Sequence, residues 1–253
     1  MNTGWQRFVA VGDSVTEGLG DPDADGGFRG WADRLAEAIA DRQGSVRYAN
    51  LAVRGLTTRR VLETQLAPAQ ELAPDLVTAV VGMNDVIRPS LNPLELAADL
   101  DALFGGLRAT GATVLTATIP APGLFAPLPP ALRSRMDRRI TRMNAVITAA
   151  ARRHGLLCMD LASLTPAGMA AWAEDRLHPG PDAHQAMAAA GLAVLDGVAP
   201  ALEVNVAEPV DADHLRWLRT FLWPWLVRRL RGQSSGDGRV AKLPTYRALP
   251  ATS

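Results

Sequence analysis

Short apolar runs alternate with longer amphipathic stretches along most of the chain, and this alternation is the strongest constraint on its fold. The apolar runs are rich in Val, Leu and Ala, which is typical of strands buried on both faces. They lie at residues 7–11, 46–53, 75–82, 112–120 and 155–162. The stretches between and after them carry apolar residues three or four apart, as one face of a helix does. They lie at residues 30–43, 57–72, 92–111, 133–155 and 181–200. This order predicts an α/β protein, a three-layer α/β/α sandwich around a five-stranded parallel sheet of the flavodoxin-like type.

The predicted fold indicates where chemistry would take place. In such sheets the ligand binds beyond the carboxyl ends of the strands, near the point where the strand order reverses. Ser14 follows the first predicted strand, Gly55 the second and Asn84 the third, and the segment "EDRLHPGPD" (174–182) comes after the fifth. We therefore expect these polar and glycine residues to contribute to one site.

The residue types at these positions match the needs of ester hydrolysis by a serine. That reaction needs an exposed hydroxyl, a histidine to take its proton, a carboxylate to orient the histidine, and donors for the oxyanion. The segment "DRLH" places Asp175 three residues before His178. In one tight turn the carboxylate can accept from Nδ1 while Nε2 faces Ser14. The side-chain amide of Asn84 and the backbone amides of Gly55 and Ser14 are candidate oxyanion donors.

Four short motifs occur in a recognisable order along the chain. They are "GDSVTEG" (12–18), "NLAVRG" (50–55), "GMND" (82–85) and "DRLHP" (175–179). With these motifs the sequence resembles the SGNH, or GDSL-type, hydrolase superfamily over roughly residues 7–200. Val15 stands where the family's name expects leucine, at a packing position.

The resemblance implies a role for each motif residue. Ser14 would be the nucleophile, His178 the base and Asp175 its orienter, and Ser14, Gly55 and Asn84 would form the oxyanion hole. It also implies a three-layer α/β/α fold and an acyl-serine intermediate, with neither a metal nor an organic cofactor.

The expected activity is that of a serine esterase acting on small-molecule esters with small to medium acyl groups. Leu124 and Phe125, in the loop after the fourth predicted strand, are expected to wall the acyl pocket. Three enzymatic alternatives use the same triad: an acyltransferase, a carbohydrate O-deacetylase and a lysophospholipase-like enzyme. A catalytically silent binding module on the same fold is the non-enzymatic alternative.

Composition excludes several other classes of function. The 26 basic residues balance 26 acidic ones, so no global field attracts nucleic acid. Cys158 is the single cysteine, which excludes a disulfide framework and a cysteine metal site. The acidic residues Asp21, Asp23 and Asp25 resemble the start of a calcium loop, but Ala32 occupies the twelfth position, where such a loop needs glutamate.

The two ends of the chain carry further expectations. The N-terminus has no basic region leading into a long apolar segment, and no run approaches the roughly 18 apolar residues of a membrane span, so a cytoplasmic location is expected. Residues 1–205 are assigned to the hydrolase domain, 206–232 to a Trp- and Arg-rich helical segment and 233–253 to a disordered tail. The helical segment could pack on the domain, lie on a membrane surface or form a dimer contact.

Overall fold

The computed structural model describes residues 4–88, 91–164, 171–200, 214–224, 235–236 and 238–251. The strands in these ranges are β1 (Arg7–Gly12), β2 (Ser45–Asn50), β3 (Leu76–Val80), β4 (Thr113–Ala117), β5 (Leu157–Met159) and β6 (Leu243–Pro250). The helices are α1 (Ser14–Glu17), α2 (Gly30–Gln43), α3 (Thr58–Glu71), α4 (Met83–Val86), α5 (Pro93–Arg108), α6 (Pro130–His154), α7 (Leu161–Leu164), α8 (Pro181–Leu195) and α9 (His214–Trp217). A 3₁₀ turn at Gly123–Phe125 precedes α6, and a π-helical turn at Leu218–Leu222 follows α9.

The strands form one sheet in the order β5-β4-β3-β1-β2-β6. β1 pairs in parallel with both β2 and β3, so that Val9 lies opposite Ala49 on one side and Val77 on the other. The first five strands are parallel and follow the flavodoxin-like order, which confirms the predicted α/β fold. Because the strand order reverses at β1, the carboxyl ends of β1 and β3 border the crevice in which such sheets bind ligands.

Helices cover both faces of the sheet and produce two apolar cores. Side chains alternate across a strand, so neighbouring residues of β1 enter different cores. Phe8 and Ala10 belong to the core that also holds Trp31 and Leu35 of α2 and Met187 of α8. The opposite core holds Val9 and Val11 of β1, Val61 of α3, Leu100 of α5 and Ile147 of α6.

The end of the chain corrects two sequence-based predictions. β6 pairs antiparallel with β2, with Tyr48 opposite Arg247, so the described sheet has six strands and is mixed. The prediction of a disordered tail over 233–253 is wrong for Leu243–Pro250. The half-buried residues of β6 are three apart, at Leu243, Tyr246 and Leu249, and so lack the alternation that predicts a strand. Backbone pairing with β2 therefore places this segment in the sheet.

Lys242 anchors β6 to the rest of the molecule. Its Nζ donates to the backbone carbonyl oxygens of Glu17 at 2.7 Å, Phe28 at 2.9 Å and Arg29 at 3.1 Å. The same ammonium forms an ion pair with Asp33 of α2. The tail thus contacts both α1 and α2.

The predicted helical segment at 206–232 is described only over residues 214–224, and these residues are helical. The rest of that segment lies outside the described residues. Trp217 is 4% exposed and packs in the same core as Ile140 and Met143 of α6, whereas Trp223 is 65% exposed. At Trp217 this segment packs on the domain. None of the helices in the described ranges is both long and apolar enough to cross a membrane.

Candidate active site

The end of β1 and the start of α1 present Ser14 at the carboxyl edge of the sheet. Gly12 has a φ of +153°, and a Cβ at this position would lie 2.6 Å from the carbonyl oxygen of Val80. Asp13 then caps α1, because its Oδ1 accepts from the backbone N–H of Val15 at 3.2 Å. Ser14 is the first helical residue, so its own N–H has no carbonyl partner within the helix.

Ser14, His178 and Asp175 form a chain of hydrogen bonds. The Oγ of Ser14 lies 2.9 Å from Nε2 of His178, although 164 positions separate the two residues in sequence. On the other side of the ring, Nδ1 lies 2.5 Å from Oδ2 of Asp175. With the ring neutral and protonated on Nδ1, Nε2 accepts the hydroxyl proton of Ser14.

The turn that carries Asp175 and His178 holds the carboxylate in place. Oδ1 of Asp175 accepts from the backbone N–H groups of Leu177 at 2.9 Å and His178 at 3.0 Å. Burial acts to raise the pKa of Asp175, but the hydrogen bond and charge of His178, with the two backbone amides, outweigh burial and lower that pKa. Asp175 is therefore ionised at neutral pH, as an orienting carboxylate must be.

Asn84 is positioned by the residue that precedes Ser14. Its Nδ2 donates to Oδ2 of Asp13 at 3.0 Å, in a buried environment. Burial raises the pKa of Asp13 to about 6, and the hydrogen bonds from Val15 and Asn84 oppose this effect. The bond to Asp13 therefore fixes the orientation of the Asn84 side-chain amide.

The motif around Asn84 also connects α4 to neighbouring elements. Gly82 has a φ of +122°, and a Cβ there would overlap the side chain of Met143. Asp85 Oδ2 accepts from both the backbone N–H and the hydroxyl of Thr58, each at 3.0 Å, at the start of α3. Asp85 therefore ties α4, which carries Asn84, to α3.

The loop that contains Gly55 is attached to α1 through a half-buried ion pair. The backbone N–H of Arg54 donates to Glu17 Oε2 at 2.7 Å, and its guanidinium also binds the Glu17 carboxylate. Gly55 itself is buried and has a φ of +78°. The loop after β2 is thus held against the short helix that begins at Ser14.

Sequence reasoning missed two groups that hold this edge of the sheet. One is the Glu17–Arg54 pair, whose signal was a glutamate in the first motif and an arginine in the second. The other is Gln65 of α3, which is buried and bonds both the N–H and the carbonyl oxygen of Gly12 at 2.8 Å. A polar residue among the apolar positions of that helix was the only sequence signal for Gln65.

An apolar cavity lies beside the triad. Its walls include residues adjacent in sequence to the candidate catalytic residues, namely Val15, Met83, Leu177 and Pro179. Ala183, Ala186 and Met187 of α8 also line it. The cavity volume is about 60 Å³. Within the described residues, no group of three or more His, Cys, Asp or Glu side chains is placed to hold a metal ion.

Leu124 and Phe125, which were predicted to wall an acyl pocket, do not line this cavity. They are 7% and 4% exposed and pack in the core between the sheet and α5 and α6. The backbone of this loop is joined to the turn that carries the triad, since Leu124 N–H donates to the carbonyl oxygen of Arg176 at 2.7 Å. Ile119 and Pro120, which come earlier in the same loop, line the cavity instead.

Comparisons with known proteins identify the family of this chain. Residues 10–186 match the model of the GDSL-like Lipase/Acylhydrolase family. The chain is 31% identical to Esterase TesA of Pseudomonas aeruginosa over 122 residues, which are 48% of this chain and 58% of that protein. The aligned part thus spans less than two thirds of that esterase.

Solved structures resemble the fold over a longer region. A crystal structure of TesA superimposes with a TM-score of 0.61 at 27% identity, covering 76% of this chain and 99% of that one. LAE5, an alpha/beta hydrolase enzyme from the metagenome of Lake Arreo in Spain, superimposes with a TM-score of 0.60 at 26% identity, covering 76% of this chain and 95% of the other.

Proposed function

The chain belongs to the GDSL-like lipase/acylhydrolase family, and we propose that it hydrolyses carboxylic esters of small to medium acyl groups through an acyl-serine on Ser14. The observation that carries the proposal is the hydrogen-bond chain from Ser14 Oγ through His178 to Asp175, with distances of 2.9 and 2.5 Å. The similarity to Esterase TesA supports the same class of reaction.

Acylation begins when Nε2 of His178 takes the proton of Ser14 as Oγ attacks the ester carbonyl. The tetrahedral intermediate collapses as the protonated ring gives this proton to the leaving alcohol. Asp175 stays ionised throughout and stabilises the imidazolium. In the second half of the reaction, His178 activates a water molecule, which attacks the acyl-serine and releases the acid.

Negative charge develops on the carbonyl oxygen of the acyl group during both acylation and deacylation. We assign its stabilisation to Asn84 Nδ2 and to the backbone N–H groups of Ser14 and Gly55. The bond from Asn84 to Asp13 orients this amide before substrate binds. A donor that is already oriented needs no reorganisation when the charge forms, and this is what makes such groups effective.

The apolar cavity beside the triad is the proposed acyl site. Its residues border Ser14, Asn84 and His178 in sequence, so an acyl chain on Ser14 has short access to it. A volume of about 60 Å³ favours acetyl to butyryl over palmitoyl. The small-to-medium acyl preference rests on this cavity.

Three enzymatic alternatives use the same triad. An acyltransferase passes the acyl group to an alcohol instead of water, whereas a carbohydrate O-deacetylase and a lysophospholipase-like enzyme hydrolyse esters of a different alcohol. Transfer to an alcohol is distinguished by product analysis with a competing alcohol. Deacetylation of sugars and hydrolysis of lysophospholipids are distinguished by a substrate panel. A silent binding module would need none of the three residue types in the hydrogen-bonded chain.

The test is a panel of aryl esters, acetylated sugars, lysophospholipids and acyl thioesters, assayed with the wild type and Ser14→Ala. We expect Ser14→Ala to lose at least about 10⁴-fold in kcat on every substrate that the wild type hydrolyses. Ser45, at the exposed start of β2, gives the matched control Ser45→Ala, which should keep the activity of the wild type. Equal turnover by Ser14→Ala and the wild type would refute the catalytic assignment.

A further inference from the structure

The C-terminal segment contacts the turn that carries two members of the triad. The indole Nε1 of Trp217 donates to the backbone carbonyl oxygen of Asp175 at 3.2 Å, and Trp217 is 4% exposed. Trp217 lies beyond residues 10–186, the region that matches the family. We propose that Trp217 is a positioning residue, which holds the backbone of Asp175 so that its carboxylate stays aligned with His178. This inference rests on the proposed function.

A second contact connects Trp217 to the same turn. The guanidinium of Arg176 lies over the Trp217 ring, 4.5 Å from its centroid, in a cation–π arrangement. Arg176 has a φ of +61°, in the left-handed region that non-glycine residues rarely adopt, and it is buried. Such a backbone persists when its surroundings hold it, and the buried Trp217 ring is part of those surroundings.

The positions of these contacts explain why the alignment of the Asp175 carboxylate with His178 depends on Trp217. Asp175 is fixed at its carboxylate by His178 and two backbone amides, and at its carbonyl oxygen by Trp217. If the contact at the carbonyl oxygen is lost, the peptide after Asp175 keeps the bond from Arg176 N–H to Ala173 but is no longer held at its carbonyl oxygen by Trp217, so it can rotate about that bond. That rotation moves the carboxylate relative to Nδ1 of His178, which lies 2.5 Å from it. The proposed reaction needs this contact in both acylation and deacylation, because it orients His178 in each.

The turn has other contacts, so removal of the indole N–H is expected to loosen it without unfolding it. Ala173 N–H donates to the carbonyl oxygen of His178 at 2.8 Å, and Arg176 N–H donates to that of Ala173 at 2.8 Å. Neither bond involves Trp217. A positioning role should therefore lower kcat and leave KM nearly unchanged, because the acyl cavity does not include Trp217.

The test compares Trp217→Phe with Trp223→Phe in the full chain. Phenylalanine keeps an aromatic face for Arg176 and removes the N–H, and Trp223, 65% exposed in the same segment, is the matched control. The readouts are kcat and KM on p-nitrophenyl butyrate, with kcat expressed per Ser14 titrated by a p-nitrophenyl phosphonate. This titration removes any unfolded fraction from the measurement.

We expect Trp217→Phe to lower kcat about tenfold, the effect of one hydrogen bond, with KM within about twofold of the wild type. Trp223→Phe should match the wild type. A kcat within twofold of the wild type for a folded Trp217→Phe overturns the proposal, and so does a loss confined to KM.

Two further variants separate the possible failures. If Trp217→Phe does not fold, Trp217→Met also removes the N–H and fills the core with an adaptable apolar side chain, and an unchanged kcat for that variant overturns the proposal. Ser14→Ala in the same assay tests the proposed function separately. An inactive Ser14→Ala with an unaffected Trp217→Phe refutes only the positioning role, whereas an active Ser14→Ala refutes the proposed function itself.

Discussion

The side-chain amide of Asn84 donates a 3.0 Å hydrogen bond to Oδ2 of Asp13, the residue directly before the candidate nucleophile. One carboxylate therefore both caps the helix that begins at Ser14 and orients a candidate oxyanion donor. The nucleophile and this donor are coupled through a buried acidic group outside the triad.

Asp13→Ala is expected to lower kcat on p-nitrophenyl acetate by roughly 10- to 100-fold, because Asn84 loses the acceptor that orients it. Asp13→Asn should lose less, since its side-chain oxygen can still accept from Asn84. The measurement is steady-state kinetics of both variants at pH 7, with circular dichroism to check the fold. Equal activity of Asp13→Ala and the wild type would show that Asn84 needs no such support.

Asn84→Ala is expected to lower kcat by roughly 100- to 1,000-fold with little change in KM, as loss of one oxyanion donor does. The reason is that the ground-state carbonyl oxygen gains much less from this N–H than the oxyanion does. Combining Asn84→Ala with Asp13→Ala should add little to the single loss, because both remove the same donor. Fully additive losses in this double-mutant cycle would contradict the coupling.

His184 is expected to make the fold less stable in mild acid. Its Nδ1 accepts from the backbone N–H of Trp31 at 3.0 Å, and its Nε2 lies 3.0 Å from the carbonyl oxygen of Leu19. Because Nδ1 accepts while Nε2 donates, the ring is neutral. Burial lowers its pKa from 6.5 to about 4. Between these values the unfolded chain binds more protons than the folded one, so the free energy of unfolding falls as the pH falls, by about 3 kcal/mol in total.

The measurement is urea denaturation of the wild type and His184→Gln between pH 7 and pH 4. We expect His184→Gln to be less stable at pH 7, and the difference from the wild type to shrink by about 3 kcal/mol at pH 4. Asp13 titrates in the same range with the opposite sign, because burial raises its pKa to about 6. Its contribution is common to both proteins and cancels in the comparison. A difference that stays constant with pH would contradict the neutral state of His184.

Ala183→Leu is expected to shift the acyl preference towards acetate, because its side chain would fill part of the cavity beside the triad. The ratio of kcat/KM on p-nitrophenyl butyrate to that on the acetate should fall at least about tenfold. Ala189→Leu, at an exposed position of the same helix, is the matched control and should leave this ratio unchanged. An unaltered ratio for Ala183→Leu would place the acyl chain elsewhere.

The sequence predicted the parallel sheet because its strands are buried on both faces and therefore form continuous apolar runs. It also indicated candidate residues for the site, since these follow predicted strands whose carboxyl ends share one edge. The hydrogen bonds among Ser14, His178 and Asp175 link residues up to 164 positions apart, and only the fold brings them within reach.

The failures of prediction have physical causes. β6 is placed by main-chain pairing at a sheet edge, where side-chain pattern carries little information. Leu124 and Phe125 pack in the core and do not line the cavity beside the triad, and the sequence pattern could not show this because an apolar side chain suits a core as well as a pocket. The contact of Trp217 with Asp175 joins two segments with no shared motif, so no local pattern could have indicated it.

Pairing with β6 also changes how the sheet meets other molecules. Without β6, the unpaired N–H and C=O groups of β2 would form a row beside Val46 and Tyr48, a template for strands of other chains. The edge that replaces it carries Pro244 and Pro250, which have no N–H to donate, and the charged Arg247. The eight residues of β6 therefore cover an edge of β2 that would otherwise be open to the strands of other molecules.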